Sequence, residues 1–161
     1  MLGGIKWAPK YKYLRVKVTT SSVSGSFVEA TKTCKQKLRS HAGIILGITK
    51  NDFDPIKNGL ILWNEMAVVA ALYGTKVIHF KRQDINELES IQGNFLAHLL
   101  WQITLVSHIA VRKEAGVKPI EQIMMDMKLN YWYHLTRSTE DSWLRAAFAE
   151  NFKTSQGPRN K

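Results

Sequence analysis

The sequence predicts a mainly α-helical fold: a short N-terminal β-hairpin followed by about six packed helices. Three observations predict it. Apolar residues recur every three or four positions from Phe27 onward, the spacing of a helix with one buried face. Helix-start and helix-stop residues punctuate that pattern, notably Asp54-Pro55, Gly74, Gly116 and Pro119. β-Branched and aromatic residues that alternate with lysines are confined to the first twenty positions. A hydrophobic fraction of 45% with 22% charged residues is the balance of a folded chain, and 161 residues suffice for one core but not for two ordinary domains. The expected unit is a single domain over residues 1–152, with the hairpin in 1–20 and helices in 27–152, and a disordered basic tail in 153–161.

In the first segment Tyr11, Tyr13, Val16 and Val18 interleave with Lys10, Lys12, Arg15 and Lys17, which reads as a strand. Ala8-Pro9 is the expected turn of a hairpin whose first strand is Gly4–Trp7. Phe27–Leu46 reads as a helix with Phe27, Ala30, Cys34, Leu38, His41, Ala42 and Ile45 on one stripe. Lys32, Lys35, Gln36 and Arg39 fall opposite, and Gly47 is the expected stop. Asp54 as N-cap with Pro55 at the first helical position starts the next helix, which runs to about Tyr73 and stops at Gly74. Its inward residues are Ile56, Leu60, Trp63, Ala67, Ala70 and Ala71, and the apolar run Met66–Leu72 marks it as central.

Thr75–Phe80 is a short connector or extended stretch. Asp84 with Glu87 three residues on starts a helix whose buried stripe is Ile85, Leu88, Gln92, Phe95, Leu96 and Leu99. A helix of about Thr104–Ala115 ends at Gly116. Pro119 opens the next, with Ile120, Ile123, Met124, Met127, Tyr131 and Leu135 inward. Met125, Leu129 and Trp132 lie off that stripe and form a second apolar face, a candidate surface for docking a partner. Ser138 and Asp141 cap a last helix, Thr139–Phe152.

The net charge of +10 is unevenly placed. Residues 1–50 carry +9, residues 51–110 carry −2 and residues 111–161 carry +3. A basic segment beside a nearly neutral one suits a polyanion-facing surface. The longest apolar runs fall far short of the ~20 residues that span a bilayer. Met1–Lys12 has no apolar core of a secretory signal, so an intracellular protein of nucleus or cytoplasm is expected, with no membrane partner.

No constellation for stand-alone catalysis is visible, and neither a metal nor a cofactor is expected. The phosphate-binding glycine loops are missing. None of the five histidines pairs with another at four-residue spacing. Cys34 sits on an apolar stripe, the place of a buried small hydrophobe rather than a reactive thiol. Asp52 and Asp54 are better used in a turn and a cap than as a metal pair.

Several phrases nevertheless line up in one order. Tyr11-Lys12-Tyr13-Leu14-Arg15-Val16 is similar to the K-Y-L-G-V phrase that follows the catalytic palm in non-LTR (LINE-type) retrotransposon reverse transcriptases. Leu62-Trp63 and Ala71-Leu72-Tyr73-Gly74 resemble that family's L-L-Y-G. Leu88-Glu89-Ser90-Ile91-Gln92-Gly93-Asn94-Phe95-Leu96 resembles its L-E-x-I-Q-x-x-F-L. Val111 to Ile120 resembles x-R-x-E-x-G-x-x-P-I, and Leu129-Asn130-Tyr131-Trp132 falls where the family has L-x-Y-x-x-x-L. The resemblance covers roughly residues 4–150. It implies a thumb-like helical bundle, preceded by the hairpin that closes the palm and supports the primer end.

Carried onto this chain, the resemblance places Lys12, Arg15 and Lys17 near the primer backbone. It sets Lys32, Lys35 and Arg39 against duplex phosphates. Arg15 stands where the family phrase has glycine. The family's Tyr/Phe-x-Asp-Asp loop, which holds the catalytic metals, is not in this sequence. The expectation is a non-catalytic fragment that binds RNA–DNA hybrid or duplex without sequence preference, with a palm- and fingers-containing chain as a possible partner. The alternative is a helical protein-interaction or structural module derived from a retro-element, with no nucleic-acid role.

Overall fold

A computed structural model describes residues 10–13, 16–19, 23–78, 80–101 and 107–137. The architecture is mainly helical. Two short strands, β1 (Lys10–Tyr13) and β2 (Val16–Thr19), are followed by α1 (Val23–Thr49) and α2 (Pro55–Leu62). A π-helical segment, Trp63–Val68, leads directly into α3 (Val69–Leu72). A 3-10 turn at Thr75–Val77 precedes α4 (Arg82–Leu99), α5 (His108–Ala115) and α6 (Ile120–Arg137).

The N-terminal pairing differs from the expected hairpin. The strand expected over Tyr11–Val18 is split in two, and its halves pair antiparallel with each other, Lys12 opposite Lys17. The expected first strand Gly4–Trp7 and the turn at Ala8-Pro9 lie outside the described residues. So do the last helix, Thr139–Phe152, and the basic tail.

The long apolar stripe of α1 buries Cys34, Leu38 and Ile45. The helix runs through Gly47 instead of stopping there, because Gly47 keeps a helical φ and does not adopt the left-handed conformation of a glycine cap. The left-handed conformation falls instead on Gly74 (φ +85°) and Gly116 (φ +64°), which end α3 and α5.

Asp54 caps α2 as expected, with its carboxylate accepting from Lys57 N at 3.1 Å. The π turn then changes the phase of the helix, so the buried line reads Gly59, Trp63, Ala67, Ala71 and Leu72. Ile56, expected inward, is exposed, and Val69 shows 51% of its surface, so this helix is covered on one side only. Trp63 stacks on Phe95 of α4, ring centroids 4.2 Å apart and planes within 13°.

Helix α4 is the element on which the others converge. Its stripe Leu88, Gln92, Phe95, Leu96 and Leu99 is buried as expected, joined by Ile91 and Gly93. The helix begins at Arg82 rather than at Asp84. Asp84 sits one turn in and accepts the Lys81 backbone N–H at 3.3 Å. Two glycines mark its closest contacts. A Cβ on Gly93 would lie 2.3 Å from the His108 ring, and one on Gly59 would lie 2.5 Å from the Leu99 side chain.

A single carboxylate ties both α5 and α6 to α4. Glu89 is largely buried and forms an ion pair with Arg112 of α5. Its other oxygen accepts the backbone N–H of Glu121, in the first turn of α6, at 2.9 Å. One turn on, Gln92 donates to the carbonyl of Lys118 at 3.1 Å in the connection between α5 and α6.

Replacing Glu89 by Ala strands Arg112 and reopens the α6 N-terminus, so urea denaturation should show a loss of about 2–4 kcal/mol. Gly93→Ala should lose about 1–3 kcal/mol by overpacking against His108. Gly43→Ala and Gly47→Ala, whose Cβ positions meet nothing within 4 Å, should each gain about 0.5–1 kcal/mol in the same assay.

Candidate nucleic-acid interface

Helix α1 is the most basic element of the fold, with Lys32, Lys35, Lys37 and Arg39 against one acid, Glu29. Packing divides these four bases into two pairs. Lys32 and Arg39 are exposed, with Gln36 between them on the same face. Lys35 turns inward, contrary to expectation. Its ammonium lies 2.8 Å from Asp84 and 2.8 Å from Glu87, both on α4, and only 14% of its side-chain surface is exposed. It belongs to the helix–helix seam and does not face a duplex. Lys37, which the sequence reading did not single out, reaches the Ala70 carbonyl at 3.3 Å, near the C-terminus of α3.

Burial disfavours the charged form of Lys35, but the hydrogen bonds to Asp84 and Glu87, with their charges, more than offset it and raise its pKa. Cys34, one position away, is buried as expected. Desolvation pushes its thiol up to about 11 against the pull of Lys37 and Lys35, so it is not a nucleophile at neutral pH.

The other expected contacts are placed less completely. Lys12 and Lys17 are cross-strand partners in the β1–β2 register, which sets the two lysines opposite each other. Arg15 lies outside the described residues. The second apolar face of α6 is exposed: Met125, Leu129 and Trp132 show 56, 55 and 53% of their surfaces, and Tyr133 joins them under the Arg137 guanidinium. A groove of about 680 Å³ runs between α1 and α3, floored by Met66 and Ala70 and edged by His41, Glu65 and Tyr73. The His41 Nδ1 is held 2.7 Å from the Lys37 carbonyl, which leaves no convergent polar set in the groove.

Among the described residues, no group of three His, Cys, Asp or Glu side chains could hold a metal ion. No described helix is long and apolar enough to cross a membrane. No protein-family model, no curated protein and no solved structure matches this chain.

The inward lysine has a pH signature. Its folded pKa is raised, so its stabilising contribution is complete below the unfolded value of about 10.4 and fades as pH rises through the folded value. Denaturation series from pH 9 to 12 should show the wild type losing stability more steeply than Lys35→Met above about pH 10.5. Parallel curves would remove Lys35 from the seam.

Proposed function

We propose that this chain is a non-catalytic helical module that binds nucleic acid through the phosphate backbone. In this reading it resembles the thumb region of a non-LTR retrotransposon reverse transcriptase. One observation carries the reading: the outer face of α1 presents Lys32, Gln36 and Arg39 to solvent, with no acid between positions 30 and 50. The three carboxylates of α4 are engaged in its seams, Asp84 and Glu87 with Lys35, and Glu89 with Arg112. Bases whose neighbouring acids are neutralised inside the bundle give a positive surface that a polyanion can use. The lysines of β1 and β2 add three bases N-terminal to α1 in the sequence. Such contacts position a backbone and do not read bases.

A second reading has its own support. Met125, Leu129 and Trp132 are each more than half exposed along one line of α6, and an apolar stripe of this kind suits a protein partner. A palm-containing chain would satisfy both readings, and a scaffold role would satisfy only this one.

Titration of a labelled RNA–DNA hybrid should show binding that weakens steeply with salt. Lys32→Ala with Arg39→Ala should lower the slope of log K against log salt by about 2, and Lys35→Met should leave it unchanged. No binding at low salt, or binding indifferent to salt, would sink the nucleic-acid reading. Trp132→Asp should dissociate any oligomer or partner complex seen by light scattering, and nucleic-acid affinity lost with it would mean the two surfaces are one.

A further inference from the structure

The turn between α1 and α2 carries the most exposed large hydrophobic side chain among the described residues. Phe53 shows 103% of its reference surface. A phenylalanine left wholly in water forgoes all of its burial free energy, and here the backbone that carries it is fixed by a set of hydrogen bonds. Asp52 N donates to the Thr49 carbonyl at 3.1 Å. The Asp52 carboxylate accepts from Phe53 N at 2.7 Å and from Asn58 Nδ2 at 2.6 Å. Asp54 caps α2, and Pro55 fixes the first helical φ. These bonds fix the backbone on both sides of Phe53 and leave its ring in solvent.

We propose that Phe53 is a stacking platform for an unpaired nucleobase, placed at the end of the basic face of α1. The inference rests on the nucleic-acid reading above and names the part of the ligand that this end would take. Continuity along α1 supports it. Lys32, Gln36, Arg39, Gly43, Gly47 and Lys50 are all exposed and follow one another at three- and four-residue steps, so they form one line that ends beside Phe53. Lys50 and Lys57, three positions before and four after Phe53 in the sequence, are both exposed.

The charge of the turn favours a base over a lipid surface. Lys50 and Lys57 are balanced by Asp52 and Asp54, so residues 50–57 carry no net charge. An anionic headgroup plane would press against both carboxylates. A single base needs only one ring face, and base–aromatic stacking does not depend on net charge. Affinity from Phe53 is then additive to the electrostatic contacts of Lys32 and Arg39 and insensitive to salt.

The test compares a blunt RNA–DNA hybrid with the same hybrid carrying a single-stranded overhang, using the full chain and fluorescence anisotropy. The overhang should bind roughly 5- to 100-fold more tightly, the usual contribution of one stacked base. Phe53→Ala should erase that gap while leaving blunt binding and the salt slope unchanged, and Phe53→Tyr should keep it. A 2-aminopurine in the overhang should be quenched by the wild type and not by Phe53→Ala. Equal binding of the two hybrids, or a gap that survives Phe53→Ala, overturns the proposal while leaving backbone binding intact. Absence of salt-dependent binding to either hybrid overturns the reading beneath it. Phe53-dependent sedimentation with phosphatidylserine vesicles, with no overhang preference, would assign the ring to a membrane and also overturn it.

Discussion

The placement of α5 and α6 against α4 depends on the carboxylate of Glu89. One of its oxygens meets the Arg112 guanidinium and the other accepts a backbone N–H from the first turn of α6. A largely buried carboxylate is tolerable only when its lone pairs are filled, and these two partners fill them from two different helices. The pair adds little net stability over an apolar alternative, but it has directional demands that Val111, Val117 and Ile120 around it do not. It fixes where α5 ends and α6 begins relative to α4. Gln92, one turn away, extends the same arrangement to the Lys118 carbonyl.

These contacts join two sequence phrases that are far apart in the chain. Glu89 and Gln92 belong to the phrase 88–96, and Arg112, Lys118 and Ile120 to the phrase 111–120. Their meeting in space is a matter of helix packing. A second polar lock works at the opposite face of α4. Lys35 bridges Asp84 and Glu87, so the rotation of α1 about its own axis is set by charge as well as by Cys34 and Leu38. Lys35 sits at the edge of the buried stripe of Thr31, Cys34, Leu38 and Ile45, and Lys32, Arg39 and Gln36 lie further round the helix from that stripe, where they are exposed.

The sequence revealed what depends on period and left obscure what depends on partners. Cys34, Leu38 and Ile45, or Leu88, Phe95 and Leu99, declare themselves by spacing alone, and the structure buries them. Lys35 does not, because a polar residue on a polar arc looks the same whether it meets water or two carboxylates fifty positions away. The π segment at Trp63–Val68 leaves no mark in composition, and Trp63 within it still stacks on Phe95 while Ala67 and Ala71 keep their expected burial. Gly47 misled for a related reason, since helix ends at Gly74 and Gly116 use a left-handed φ that glycine permits but does not enforce. Of the candidate interface, Lys32 and Arg39 were legible. Phe53 was not, because a lone aromatic in a polar turn carries no periodic signal.

Charge sorting follows from the same packing. Three acids of α4 lie within two turns of one another, and each faces a seam: Asp84 and Glu87 toward α1, Glu89 toward α5 and α6. Each seam consumes a base as well, so the interior pairs remove charge of both signs from the surface. In α1 four bases meet a single acid, so the helix keeps a net positive charge after Lys35 is paired in the seam. A rearrangement that freed Lys35 would add a positive charge to the outside, but it would also release two carboxylates beside it and lower the local potential. The positive face of α1 is thus a product of the α1–α4 seam as much as of composition, and loosening that seam would weaken polyanion attraction even with every lysine and arginine in place.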